Sequence, residues 1–388
     1  MTLFIGLMSG TSLDGVDAVL ADWPDAPVAA AARPAERAFI HLPMPAPLRD
    51  GLLHLNTEGA GEMHRAALAA NAIAALYAQA VQALLGEAGA SGITASAVRA
   101  IGAHGQTVRH RPGEFDGTGY TVQLLNGALL AERTGIDVVC DFRSRDVAAG
   151  GQGAPLVPAF HAEVFGDAAG AAVLNIGGIA NLTLLPGAAA HRSSADAVRG
   201  FDCGPGNLLM DLWAERCTGR RYDEDGRLAA AGHAHEGLLR ACLAEPFFER
   251  APPKSTGRDL FDPRWLDARL AAVQAGGPPL PAADVMATLA ELTARAACDA
   301  LARHGGALRR LHVCGGGAAN PHLMRRLAVL AGRRVQVAST TALGIAPDHV
   351  EALAFAWLAR AFCERRPGSL PAVTGAAGPR VLGALYPA

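Results

Sequence analysis

One pattern occurs twice in this chain of 388 residues. An apolar run, Leu3–Met8, enters a polar, glycine-bearing turn and leaves it as a second apolar run, Val16 to Trp23. In the second half the pattern returns as Ala171–Ile176, the turn Gly177-Gly178, and Leu182–Leu185. Strand, glycine turn, strand is the signature of a β-hairpin. Its recurrence, in a chain long enough for two domains at ~100–200 residues each, predicts two α/β lobes that each open on a glycine-tipped hairpin. The expected division is 1–168 and 169–388, with the boundary near 167–170 at Gly166-Asp167-Ala168-Ala169-Gly170. The proline- and glycine-rich tail, Pro367–Ala388, is expected to pack back on a lobe, with the N-terminal one as the candidate.

Between these landmarks the chain alternates. Residues 64–86 are rich in Ala and Leu and read as a long helix. Strand-like runs follow at Val98–Ala103, Tyr120–Leu125 and Ile136–Phe142, then a helix at Val157–Phe165 with Pro158 in its first turn. In the second half a strand (Ala197–Phe201) precedes a helix (Asn207–Cys217), and 222–283 reads as loops with short helices. Helices at Ala283–His304, Pro321–Gly332 and Asp348–Arg365 alternate with strands at Leu308–Cys314 and Arg334–Ala338.

Composition excludes several classes. The 34 Lys+Arg and 36 Asp+Glu leave a net charge of −2, so no nucleic-acid surface is expected. Lys254 is the only lysine, and it follows Pro252-Pro253 without a strand and Gly-rich turn before it. A Walker A loop and a protein kinase each need a lysine in a defined setting, so both phosphate-binding devices are excluded. The 7 cysteines are scattered and show no Cys-x-x-Cys, which fits reduced thiols. The N-terminus lacks the charged start of a signal peptide. No stretch reads as the ~18–20 uncharged apolar residues of a membrane helix. A soluble cytoplasmic enzyme, with no membrane partner, is the expectation.

Four glycine-bearing motifs carry candidate chemistry. Ser9, Gly10, Thr11, Ser12, Leu13, Asp14 and Gly15 form the first hairpin tip, whose amides and hydroxyls suit an anion, and Asp14 or Asp17 suits Mg²⁺. Gly177-Gly178 forms the second tip. Gly315-Gly316-Gly317 lies at a strand-to-helix turn, where bare backbone and a helix N-terminus suit adenosine, although it is not the Gly-x-Gly-x-x-Gly of a dinucleotide fold. Asp202 stands in Gly200-Phe201-Asp202-Cys203-Gly204-Pro205-Gly206-Asn207, at a strand end where a carboxylate suits general-base work. The ordinary alternative stays open for each, because Ser, Gly, Thr and Asp are what turns and helix caps use. Two polar segments follow strands: His104-Gly105-Gln106-Thr107 with Arg109, and Asp141–Asp146 with Gly150-Gly151-Gln152-Gly153. Arg143 and Arg145 could read an acidic substrate through forked hydrogen bonds or form a solvated turn. Glu351, in the first turn of the last long helix, suits the helix dipole and by itself implies nothing more.

Taken together, these segments resemble the anhydro-N-acetylmuramic acid kinases. The matching stretches include GLMSGTSLDGVD, GAHGQTVRH, LNIGGIANLTLL, GFDCGPGNLLMD, PKSTGRDLF, CGGGAAN and GIAPDHVEALAFAWLA, spread from residue 3 to 387. The resemblance implies a two-lobed actin-like ATPase fold, α/β with duplicated mixed β-sheets and an interlobe ATP cleft. It implies ATP and Mg²⁺ as cofactors, a homodimer, and a reaction that opens a 1,6-anhydro sugar with water and phosphorylates its O6. Asp202 matches the family's catalytic aspartate, and Glu351 a second active-site carboxylate. The resemblance assigns the nucleotide to Ser9 through Val16, to Gly177, Gly178, Gly204, Gly206 and Asn207, and to Gly315, Gly316 and Gly317. Asp14 would serve the metal, and Gln106, Thr107, Arg143 and Gln152 the sugar. A kinase for an ordinary amino sugar, or a non-catalytic ATP-binding module on the same fold, are the alternatives.

Overall fold

The computed structural model describes residues 1–24, 33–89, 92–166, 170–185, 198–275, 277–306 and 308–388. Residues 167–169 of the expected boundary and the first residue of the strand expected at 197 lie outside the described residues. The chain divides into two units, Met1–Asp167 with His349–Ala388, and Ala168–Asp348. Each has its own buried hydrophobic core.

In the first unit, β1 (Thr2–Met8) and β2 (Gly15–Trp23) form the expected hairpin, and β3 (Ala35–Pro43) pairs antiparallel with β2. On the other side of β1 lies β4 (Val98–Ala103), parallel. A separate antiparallel pair, β5 (Gln106–Pro112) and β6 (Gly119–Leu124), leads to β7 (Val138–Cys140), which pairs parallel with β4. The Glu62–Ala88 helix buries Ile73, Tyr77, Ala80 and Leu84, a spacing of three to four residues that makes one face of a helix. By length and composition it could cross a membrane, contrary to the expectation that no stretch would. Asn71, Gln79 and Gln82 make the run less apolar without charging it. In the structure its apolar face belongs to the first unit's core.

The second unit repeats the plan. The hairpin β8 (Ala171–Ile176) and β9 (Ile179–Leu185) is extended by β10 (Arg199–Pro205), antiparallel to β9. On the other side of β8 come β11 (Arg310–Cys314) and β12 (Gln336–Ser339), both parallel. The strand orders are β3-β2-β1-β4-β7 and β10-β9-β8-β11-β12, with the same directions at each step. The duplication seen in the two hairpins therefore extends to whole sheets.

The chain then returns to the first unit. The Val350–Cys363 helix packs on β1 and β4. It approaches so closely that a Cβ on Gly6 would overlap the Ala352 carbonyl oxygen, and one on Gly102 the Phe355 carbonyl oxygen. The tail ends as β13 (Ala384–Tyr386), an edge strand antiparallel to β7. The second lobe was expected to run to 388. The last 40 residues instead belong to the first unit, because its glycine-faced strands receive the helix.

Candidate active site

Three of the glycine motifs meet in the second unit. The turn Gly177-Gly178 joins β8 to β9, and the segment after β10 docks on it: Gly206 N–H donates to Gly178 O at 2.9 Å, Asn207 N–H to Gly177 O at 2.8 Å, and Leu208 N–H to Gly178 O at 3.1 Å. Asn207 Nδ2 adds a bond to Ile176 O at 3.2 Å. None of these bonds uses the Gly177 or Gly178 N–H. Gly315 follows β11 with φ +75°, a left-handed conformation that a side chain rarely adopts, and a Cβ there would lie 2.5 Å from Asn175 Oδ1. Gly316 faces Asn207 Nδ2, 3.6 Å from where its Cβ would be. The hairpin tip, the Asn207 helix start and the glycine turn thus form one surface of backbone at the ends of β8, β10 and β11.

Asp202 stands within β10 at a register shift, where the strand was expected to have ended. Asp202 pairs with Asn181, and the shift comes directly after it, leaving Cys203 as the extra residue opposite β9. The residue is 6% exposed. Its N–H donates to Lys254 O at 3.1 Å, and its Oδ2 accepts from Thr256 N–H at 2.9 Å. Lys254, 8% exposed, donates Nζ to Phe247 O at 3.1 Å and Phe248 O at 3.3 Å, and lies over the Phe247 ring. Burial pulls its pKa down from the ordinary lysine value.

The first hairpin tip is held by a hydrogen-bond chain. Ser9 is buried; its Oγ pairs with Tyr77 Oη at 2.9 Å and donates to Gly105 O at 3.1 Å. His104 Nδ1 meets Ser9 O at 3.1 Å, an acceptor that requires the ring to donate there. Nε2 then accepts from Arg143 Nη2 and Nε at 3.0 and 3.3 Å. Burial, and next the Arg143 charge, push the His104 pKa down to about 3. Arg143 Nη1 continues to Gly153 O at 2.8 Å, and Gly153 N–H to the buried Asp146 at 2.8 Å. Gln106 donates Nε2 to Gly10 O at 3.1 Å, and its buried Oε1 finds no partner among the described residues.

The motif residues divide by role. Leu13 and Val16 are core side chains, so they can meet a ligand only through their backbone. Leu13 takes φ 56°, and its N–H closes the turn on Gly10 O. Asp14 is exposed, with Oδ1 accepting from Ser12 Oγ at 2.6 Å and Gly15 N–H at 3.0 Å. Thr107 accepts from Gln123 Nε2 at 3.2 Å, and the Gln152 N–H donates to Thr374 O at 2.7 Å. Glu351 lies in the first turn of the returning helix, in the first unit, whereas Asp202 belongs to the second. The sequence reading missed Thr256 and Tyr77. Thr256 gave no signal beyond the PKSTG stretch, because its tie is a backbone N–H. Tyr77 is the one aromatic in an Ala-rich helix and, once buried, needs a partner for its hydroxyl.

The strand orders and directions of the two units make this a duplicated mixed-sheet α/β fold with glycine turns at its strand ends. The family model "Anhydro-N-acetylmuramic acid kinase" matches residues 2–388. The anhydro-N-acetylmuramic acid kinase of Variovorax paradoxus is 58% identical over 388 residues, covering 100% of this chain and 99% of the relative. That of Cupriavidus pinatubonensis is 56% identical, covering 99% and 98%, and that of Bordetella petrii 57%, covering 100% and 96%. Among solved structures, a hexokinase from Thermus thermophilus is similar at 19% identity and a TM-score of 0.36, covering 92% of this chain and 100% of that one, a likeness too distant to carry an argument. The chain belongs to the anhydro-N-acetylmuramic acid kinase family.

Proposed function

We propose that this chain uses ATP and water to convert 1,6-anhydro-N-acetylmuramic acid into N-acetylmuramic acid 6-phosphate, a step of peptidoglycan recycling. The observation that carries the reading is Asp202: a buried carboxylate next to a register shift in β10, tied at its backbone and at Oδ2, on the strand that leads into the glycine turns. Asp202 takes a proton from the water that attacks C1. The C1–O6 bond breaks as the C1–OH bond forms, and the electron pair passes to O6. O6 then attacks the γ-phosphorus of ATP, and ADP leaves. The oxygen of water ends on C1 and its proton on Asp202, so one carboxylate serves both bond changes.

The glycine turns supply the nucleotide contacts. The Gly177 and Gly178 amides and the tip Ser9 to Val16 would meet the phosphates, the latter through backbone and the Thr11 and Ser12 hydroxyls, since Ser9 Oγ is committed to Tyr77 and Gly105. Gly204, Gly206, Asn207 and Gly315–Gly317 would border the rest of ATP. Among the described residues no three His, Cys, Asp or Glu side chains gather as a metal cage. Mg²⁺ needs only one or two carboxylates besides phosphate oxygens and water, and the Asp14 carboxylate, oriented by Ser12 and the Gly15 N–H, fits that partial role. Asp14 would hold such an ion in part, and the chemistry the ion would supply is neutralisation of phosphate charge. Gln106, Thr107, Arg143 and Gln152 would hold the sugar's acetamido and lactyl carboxylate groups. Glu351 is a second active-site carboxylate in this reading. A cytoplasmic homodimer completes it.

Asp202→Asn tests the base. It should lower kcat by roughly 10³-fold or more, with ATP binding retained. Near-native turnover would place the base elsewhere.

A further inference from the structure

Lys254 is the one lysine in a chain with 33 arginines, and it is buried. Burying an ammonium is costly unless its donors are satisfied. Here they meet the carbonyls of Phe247 and Phe248 in the turn Pro246–Glu249. That turn is itself fixed to β10, because the Phe248 ring lies against Gly204, where a Cβ would be 2.6 Å from Cε1. Arg303 Nη1 donates to the same Phe248 carbonyl at 3.0 Å. The lysine's own carbonyl accepts from Asp202 N–H, and two residues later Thr256 N–H donates to Asp202 Oδ2.

We infer that Lys254 is a positioning residue: by pinning the 253–256 segment to the Pro246–Glu249 turn, it aims the Thr256 N–H at Asp202 and fixes that carboxylate for attack. The inference rests on the reading of Asp202 as the base. The ammonium ties that segment to the turn through both carbonyls and through the Phe247 ring. Its charged surroundings are Asp202 and Cys203 on β10, Glu249 on the turn, and Asp299, Arg303 and His304 on the Ala282–His304 helix. None of these replaces the bonds to both carbonyls. Arginine or glutamine could occupy the position with a donor group, and methionine would fill the volume without one.

The experiment is steady-state kinetics of Lys254→Met, Lys254→Gln and Lys254→Arg on the full chain, with thermal melts, and with Asp202→Asn in parallel. A carboxylate displaced by about 1 Å loses turnover on the order of 100-fold, so Lys254→Met should lose 10- to 100-fold in kcat. KM for sugar and ATP should stay within about threefold, because the binding groups are untouched. Lys254→Arg should recover at least a tenth of native turnover, and Lys254→Gln should fall between the two. Native kcat in folded Lys254→Met would overturn the inference, as would equal loss in kcat and both KM values. If Lys254→Met does not fold, Lys254→Gln carries the same reading. Failure of both to fold would make the lysine a stability element and overturn its positioning role. Asp202→Asn separates the two layers: near-native turnover there would bring down the base and the brace together, whereas a dead Asp202→Asn beside a native Lys254→Met would bring down the brace only.

Discussion

At the scale of single residues, the hydrogen-bond chain from Ser9 through His104 to Arg143 decides a protonation state. His104 donates at Nδ1 and accepts at Nε2, so the folded protein holds it neutral. Its folded pKa of about 3 lies below the ordinary 6.5. The unfolded chain therefore binds a proton below pH 6.5 that the folded chain refuses. Stability from this group is complete above that pH and falls by about 1.4 kcal/mol per pH unit as pH drops toward 3. Buried His161 shifts the same way, also to about 3, through burial. Urea unfolding between pH 7.5 and 5 should show both contributions, and His104→Gln, which can still donate and accept, should flatten the slope by about 1.4 kcal/mol per pH unit. An unchanged slope would mean that the ring is charged in the folded state. The sequence showed His104 as a strand-end histidine and the Arg143 segment as a possible anion reader. It could not show that they meet, because the partners lie 39 residues apart and only the fold joins them.

At the scale of elements, the two hairpins, β4, β8 and the Val157–Phe165 helix were legible because apolar runs there are bounded by glycine or proline. β3 was not: most of its residues are only partly buried or exposed, so no clean alternation marks it. β10 ran on to Pro205, past the expected end at Phe201, because its glycines are compatible with a bulged, buried strand. The helix at Val350–Cys363 was visible, but its partner was not, since the groove that receives it is made of glycines at Gly6 and Gly102. Gly102→Ala should cost about 3 kcal/mol or more in urea unfolding, because the clash is with backbone that cannot step aside. Gly86→Ala, in the Glu62–Ala88 helix with open space around it, should instead stabilise by about 0.5–1 kcal/mol. Equal effects of the two substitutions would contradict the packing described here.

At the scale of the whole molecule, one lysine excluded the common phosphate loops, and in the proposed reading the glycine turns at the strand ends of the duplicated sheet meet the polyphosphate instead. The repeat was readable because hairpin tips keep local chemistry. The return of the last 40 residues to the first unit was not, because it depends on the close fit of one helix on two strands. The central claim is that this kinase hydrolyses an ether bridge and phosphorylates the freed oxygen in one reaction. The direct measurement is turnover of ATP and the anhydro sugar in ¹⁸O-water, with the product's label located by mass spectrometry. One ¹⁸O at C1 and none in the 6-phosphate is the predicted result. A 6-phosphate with unlabelled C1, or label in free phosphate without sugar product, would contradict it.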